Sequence, residues 1–243
     1  AANGVVLITT NRGKAGESAF EFESYTGIQQ PVGLPELLNS EEYLTIRNEA
    51  ITNANELRNI ANQIGTYDPS ILNDLPNTDW LDLVFNPATM QRYALSGSGG
   101  GENGRFYISG EYLDQDGVYQ GQGFEKYQVR FNGEINNPWF RIGNSLSFSH
   151  TFRDVINSSG DGFGPGNQPS GIRYALIAAP VVTPTYPDGT QLNTTAELDD
   201  PVLYGDGNPN PVAFNEHTDW TVGKYRVFGN VYAELNLIPS LTL

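Results

Sequence analysis

The sequence predicts an all-β protein, a wall of antiparallel strands from a transmembrane β-barrel, with one helix near residues 39–64. Three observations predict it. Long segments after Tyr93 alternate apolar and polar residues at period two. Each runs roughly the 9–11 residues that a tilted membrane strand needs, longer than the ~5–6 of an ordinary soluble strand. The connections also differ systematically in length, short ones alternating with long ones, as in outer-membrane barrels.

Residues 5–10 form a short β-branched run, which predicts a buried strand, followed by a basic Gly-containing turn. Phe20, Phe22 and Tyr25 begin a second alternating segment. Asn39 followed by Glu42 forms a capping box, which predicts a helix start. Tyr43, Ile46, Ala50, Ala54, Leu57, Ala61 and Ile64 then recur at steps of three and four, predicting one apolar stripe stopped by Gly65. Residues 69–87 read as irregular, with Trp80, Leu81, Leu83, Val84 and Phe85 as an apolar anchor.

The strands follow. Phe106, Ile108, Gly110 and Tyr112 alternate with Tyr107, Ser109 and Glu111. Tyr127, Val129, Phe131 and Ile135 alternate with Lys126, Gln128, Arg130, Asn132 and Glu134. Phe148 shares a face with Phe140, Ile142 and Leu146. Tyr225, Val227 and Val231 alternate with Arg226, Asn230 and Tyr232. The polar set (Lys126, Gln128, Arg130, Asn132, Arg226, Asn230 and Tyr232) is expected to line a lumen. Phe106, Ile108, Tyr127, Val129, Phe131, Phe148, Val227 and Val231 are expected to face lipid.

Turns of few residues follow at 96–104, 136–138 and 238–240, and a longer connection spans 114–125. Residues 154–223 make one very long loop with eight of the 15 prolines, nine acidic residues and a single base, Arg173. So long an insert without structure of its own argues against a compact soluble domain and suits the outside of a barrel.

With 13 basic and 28 acidic residues, the net charge is 13 − 28 = −15, which disfavours nucleic acid as a partner. No cysteine is present, so disulfides and thiolate metal sites are excluded. No run approaches the ~20 apolar residues of a membrane helix. The glycines of residues 160–166 follow no buried parallel strand and do not read as a phosphate loop. His150 and His217 lack metal-site spacing, and Asp199, Asp200 and Asp206 lack that of an EF-hand. No catalytic residues, metal site or cofactor are predicted.

Several stretches resemble the SusC/RagA-type TonB-dependent transporters of Bacteroidetes: residues 1–14 (AANGVVLITTNRGK), 39–43 (NSEEY), 77–81 (NTDWL), 95–100 (LSGSGG) and 106–117 (FYISGEYLDQDG). They stand in the family's order over most of residues 1–150. The resemblance implies a 22-stranded plugged barrel in the bacterial outer membrane. Residues 1–14 would end the plug, and residues 15–243 would be the N-terminal part of the barrel with an extracellular loop at 154–223. It implies energy-coupled import of oligosaccharides or peptides, not enzymatic activity. The implied partners are a SusD-like surface lipoprotein, outer-membrane lipid, and TonB through a segment absent from this sequence. Phe163, Tyr174, Tyr186 and Tyr204 are candidates for stacking on cargo. The alternatives are a passive porin or structural barrel, and a soluble glycan-binding β-sandwich.

Overall fold

The computed structural model describes residues 16–58, 60–156, 170–205, 207–238 and 241–242. Expectations for residues 1–14, including the strand at 5–10, and for Phe163 lie outside the described residues. One antiparallel sheet dominates, ordered as the chain runs: β1 (Ala19–Gln29), β2 (Ala88–Gly100), β3 (Gly104–Asp116), β4 (Gly123–Asn137), β5 (Phe140–Asp154), β6 (Thr221–Ile238) and the two-residue β7 (Leu241–Thr242). Such a meander of neighbours is the wall of an up-and-down barrel. It is not a sandwich, since no second sheet covers it among the described residues.

The connections sort by end. Residues 101–103 and 138–139 close tight turns at one end, whereas residues 30–87, 117–122 and 155–220 leave from the other. The two longest carry the helices: α1 (Ser40–Glu56), α2 (Trp80–Val84), α3 (Gly171–Ile177), α4 (Pro201–Tyr204) and α5 (Pro211–Glu216). The described part of the long loop is therefore folded, contrary to the expectation of an insert without structure.

The described residues of 30–87 and 155–220 build one cap over that end of the sheet. Its core joins Leu44, Trp80, Leu81 and Val84 to Ala175, Val181, Val182, Leu192 and Leu203, with Tyr119 from the shorter connection. Trp80 is 2% exposed and donates its indole N–H to the Ala179 carbonyl at 2.9 Å. Tyr43 reaches across to the Leu203 carbonyl at 2.8 Å, and Tyr67 donates to Asp200 at 2.8 Å. Burial and the Asp200 carboxylate both hold the Tyr67 phenol well above its ordinary pKa.

The helix α1 begins with the predicted capping box. Asn39 accepts from the Glu42 amide at 2.9 Å, and Glu42 accepts from the Asn39 amide at 3.0 Å. It ends eight residues early, however, at Glu56 instead of Ile64, and Gly65 is not its stop. The cause is a pair of asparagines two turns apart. Asn55 bonds both backbone groups of Ile64, and Asn48 bonds both of Tyr67, so the returning chain is clasped alongside the helix. The buried face is also rotated from the predicted stripe: Ser40, Leu44 and Ile51 are buried, while Ile46 and Leu57 are exposed.

Candidate functional site

The period-two alternation makes a sheet with two unlike faces. One carries rows of apolar side chains across the strands: Leu95, Val129, Phe148 and Val227 in one row, Ile108, Phe131 and Leu146 in the next. Val129, Phe148 and Val231 are 50%, 48% and 69% exposed. Toward the cap this face ends in a belt of rings, Tyr93, Tyr112, Tyr127, His150 and Tyr225, one from each successive strand. Tyr112 and Tyr127 lie 5.0 Å apart, and His150 stacks on Tyr225 at 3.8 Å. Beyond the belt the same face turns polar with Gln91, Asp114 and Glu125. From the belt to the row of Phe140 and Leu235, where Trp139 projects, is five two-residue steps, roughly 33 Å of strand. Tilted by about 40°, that spans about 25 Å, the height of the apolar band of an outer-membrane barrel. Among the described residues no helix is long and apolar enough to cross a membrane; here strands supply the apolar surface.

The opposite face is polar and cross-linked. Glu23, Arg92, Glu111 and Lys126 form a chain of ion pairs across four strands, at 2.9, 2.8 and 2.9 Å. Nearer the tight turns Glu134 takes Arg105 and Arg141, each at 2.8 Å, and the Tyr232 hydroxyl at 2.8 Å. The Tyr232 ring lies across Gly143, whose missing side chain makes room for it. Such charge-assisted bonds between neighbouring strands pin the register of a sheet.

All seven residues predicted to line a lumen share this face: Lys126, Gln128, Arg130, Asn132, Arg226, Asn230 and Tyr232. Their surroundings differ. Lys126 is held by Glu111, Gln128 donates to Ser147 at 3.1 Å, and Asn132 is buried, accepting from Ser145 at 2.8 Å. Arg130 and Arg226 have no carboxylate partner among the described residues. Of the predicted cargo-stacking aromatics, Tyr174, Tyr186 and Tyr204 sit in the cap. Tyr174 meets Phe214 edge-on at 5.2 Å, Tyr186 bonds Glu197 at 3.2 Å, and both Tyr186 and Tyr204 pack against the cap core. No ring contact joins these three among the described residues.

The ion-pair chains escaped sequence reasoning, because charge alternation along one strand does not say which residue stands opposite on the next. Tyr119 escaped it too. It is buried, donates to Asn215 at 2.9 Å, and its phenol is pushed up to about 12 by desolvation. No cluster of His, Cys, Asp or Glu able to hold a metal occurs among the described residues.

No protein-family model matches the chain. TonB-dependent receptor P3 of Formosa agariphila is 25% identical over 241 residues, covering 99% of this chain and 22% of its own length. TonB-dependent receptor P26 of the same organism is 36% identical over 153 residues, 61% of this chain and 15% of the relative. TonB-dependent receptor SusC of Bacteroides thetaiotaomicron is 28% identical over 134 residues, 54% of this chain and 12% of the relative. Along nearly its whole length the chain resembles SusC-type TonB-dependent receptors. The fold agrees: the RagAB peptide importer in its closed-closed state superposes with a TM-score of 0.70 at 23% identity, over 99% of this chain and 28% of that one. This SusC-type chain is an outer-membrane protein, and its relatives are transporters and receptors, not enzymes. It spans about a fifth, or less, of the length of these sequence relatives.

Proposed function

We propose that the protein to which this SusC-type segment belongs imports oligosaccharides or peptides across the outer membrane, powered through TonB and without catalysing a reaction on its cargo. The observation that carries the reading is the two-faced sheet: an apolar band of membrane height outside, and an ion-paired polar face that suits the wall of a filled lumen. In this reading residues 1–14 end the plug, residues 15–243 begin the barrel, and residues 154–223 lie on the extracellular side, where a SusD-like lipoprotein covers the mouth. A passive porin needs no energy source, and this separates the two readings. Uptake of the cognate nutrient by cells bearing the full-length transporter should stop when TonB is removed, and the lipoprotein should co-purify. Uptake that persists without TonB would return the chain to the passive class.

A further inference from the structure

In a chain of net charge −15, cations gather at one place on the polar face. The pairing of β4, β5 and β6 sets Lys126, Arg130, Arg153, Lys224 and Arg226 within four successive rows near the cap end. Neighbouring positions there lie roughly 5 Å apart across strands and 7 Å apart along them, so the block covers about 10 by 20 Å. No acidic residue of these three strands falls in those rows on this face. On the same face of the neighbouring strand, Glu111 has one oxygen on Arg92 and the other on Lys126, and the Asp116 and Asp154 carboxylates beside Arg153 belong to the opposite face. Arg130, Arg153, Lys224 and Arg226 consequently have no ion pair among the described residues. Their cross-strand neighbours are Ser109, Ser147, Ser149, Thr151, Phe124 and Val222, which neutralise nothing.

Like charges set side by side in a sheet repel one another, and a concave wall of one sign concentrates counter-ions. We propose that this block is a binding site for an anionic oligosaccharide, one carrying carboxylate or sulfate groups, on its way in from the cap end. Arginine forks grip such groups bidentately. The hydroxyls and carboxamide of Ser147, Ser149, Thr151 and Gln128 between them suit a hydroxyl-rich chain, and the apolar Phe124, Val222 and Phe228 stand only in the two outer rows. The inference rests on the reading of this face as the lumen of an importer, and it names the class of cargo.

The test uses the full-length transporter in detergent with three probes: tetragalacturonate, maltotetraose and tetraglutamate. Tetragalacturonate should bind about tenfold or more tightly than maltotetraose, a preference that shrinks as salt screens it. The combined variant Arg130→Gln, Arg153→Gln, Lys224→Gln and Arg226→Gln should lose the preference while the barrel stays folded by heat modifiability. Equal binding of the two sugars, or none of either, overturns the inference, and this measurement needs no variant. Tightest binding of tetraglutamate assigns the cations to an acidic peptide and overturns it as well. A variant that keeps the preference but lets large antibiotics leak through the pore assigns them to carboxylates of the plug, with the same consequence. TonB-dependent uptake of a neutral cargo, alongside any of these, leaves the import reading standing without the anion site.

Discussion

The sheet and the cap use the same kinds of side chain in opposite ways. In the sheet, Val129, Phe148 and Val231 stand half exposed or more, while polar residues are tied together on the other face. In the cap, Trp80 and Val84 are 2% and 0% exposed, and polar groups look outward, bond backbone or pair with one another as Tyr119 does with Asn215. The cap is built as a water-soluble domain is, with its apolar residues inside. The sheet is built for lipid, where backbone groups must be satisfied by strand pairing and apolar side chains need no cover. One chain thus folds against two solvents, and the belt of Tyr93, Tyr112, Tyr127, His150 and Tyr225 marks the change between them.

If the two regions are independent in this sense, core damage in the cap should leave the wall intact. Trp80→Ala removes the largest buried side chain and its bond to the Ala179 carbonyl, which keeps only the Val182 amide, at a cost of about 3–5 kcal/mol. Protease added to intact cells should then cut within residues 30–87 or 155–220, while the heat-modifiable barrel band is retained. Loss of that band in step with cap cleavage would merge the two regions into one cooperative unit.

The converse experiment damages the wall through its apolar face. Val129→Arg places a charge in the middle of the band and should cost about 2–4 kcal/mol if that row lies at mid-bilayer. The amount of folded protein in the outer membrane should fall. Arg130→Ser, one residue along and on the other face, should leave that amount unchanged. Equal losses from both would show that the faces are wrongly assigned.

These contrasts also separate what was legible in the sequence from what was not. The strands and their faces were, because a period of two is written in neighbouring residues: Val129 and Arg130 declare opposite sides without reference to any other strand. The capping box of Asn39 and Glu42 was legible for the same reason. The end of α1 was not, since it depends on Asn48 and Asn55 catching Tyr67 and Ile64 further along the chain. Nor was the cap. Its bonds join Tyr43 to Leu203 and Tyr67 to Asp200, positions 160 and 133 residues apart, and residues 155–220 have too short and broken a pattern to show a helix by periodicity. The charge block near the cap end was half visible: Lys126, Arg130 and Arg226 were placed together on one polar face, and the pairing shows that they share it. Their proximity to Arg153 and Lys224 required the register.

The smallest predicted effect sharpens the comparison by pH. The buried Tyr119 phenol has its pKa raised from 10.0 to about 12, chiefly by burial. A group that is protonated and neutral in the fold stabilises it in full below pH 10, and that contribution is lost as pH climbs toward about 12. The cap should therefore loosen over this window, with Trp80 fluorescence shifting as water reaches the indole. Tyr67, raised in the same direction, adds to the loss at the alkaline end. Tyr119→Phe removes the ionisable group and the bond to Asn215, costing about 1 kcal/mol at neutral pH and flattening the alkaline transition. A variant that loosens as the parent does between pH 10 and 12 would remove Tyr119 from this account.

The bond from Trp80 to Ala179 spans 99 residues, and all of β2 to β5 lies between its ends. During synthesis the first long connection emerges with its anchor uncovered and stays so until the second arrives. Sequential strands can zip locally, each to the one just made, but the cap must wait for a contact of high sequence separation. The two connections therefore depend on each other although they are written apart. Grafting residues 155–220 from a relative onto this chain would bring a surface without its counterpart. Both segments must be exchanged at once, as a single cassette cut in two by the strands that carry it.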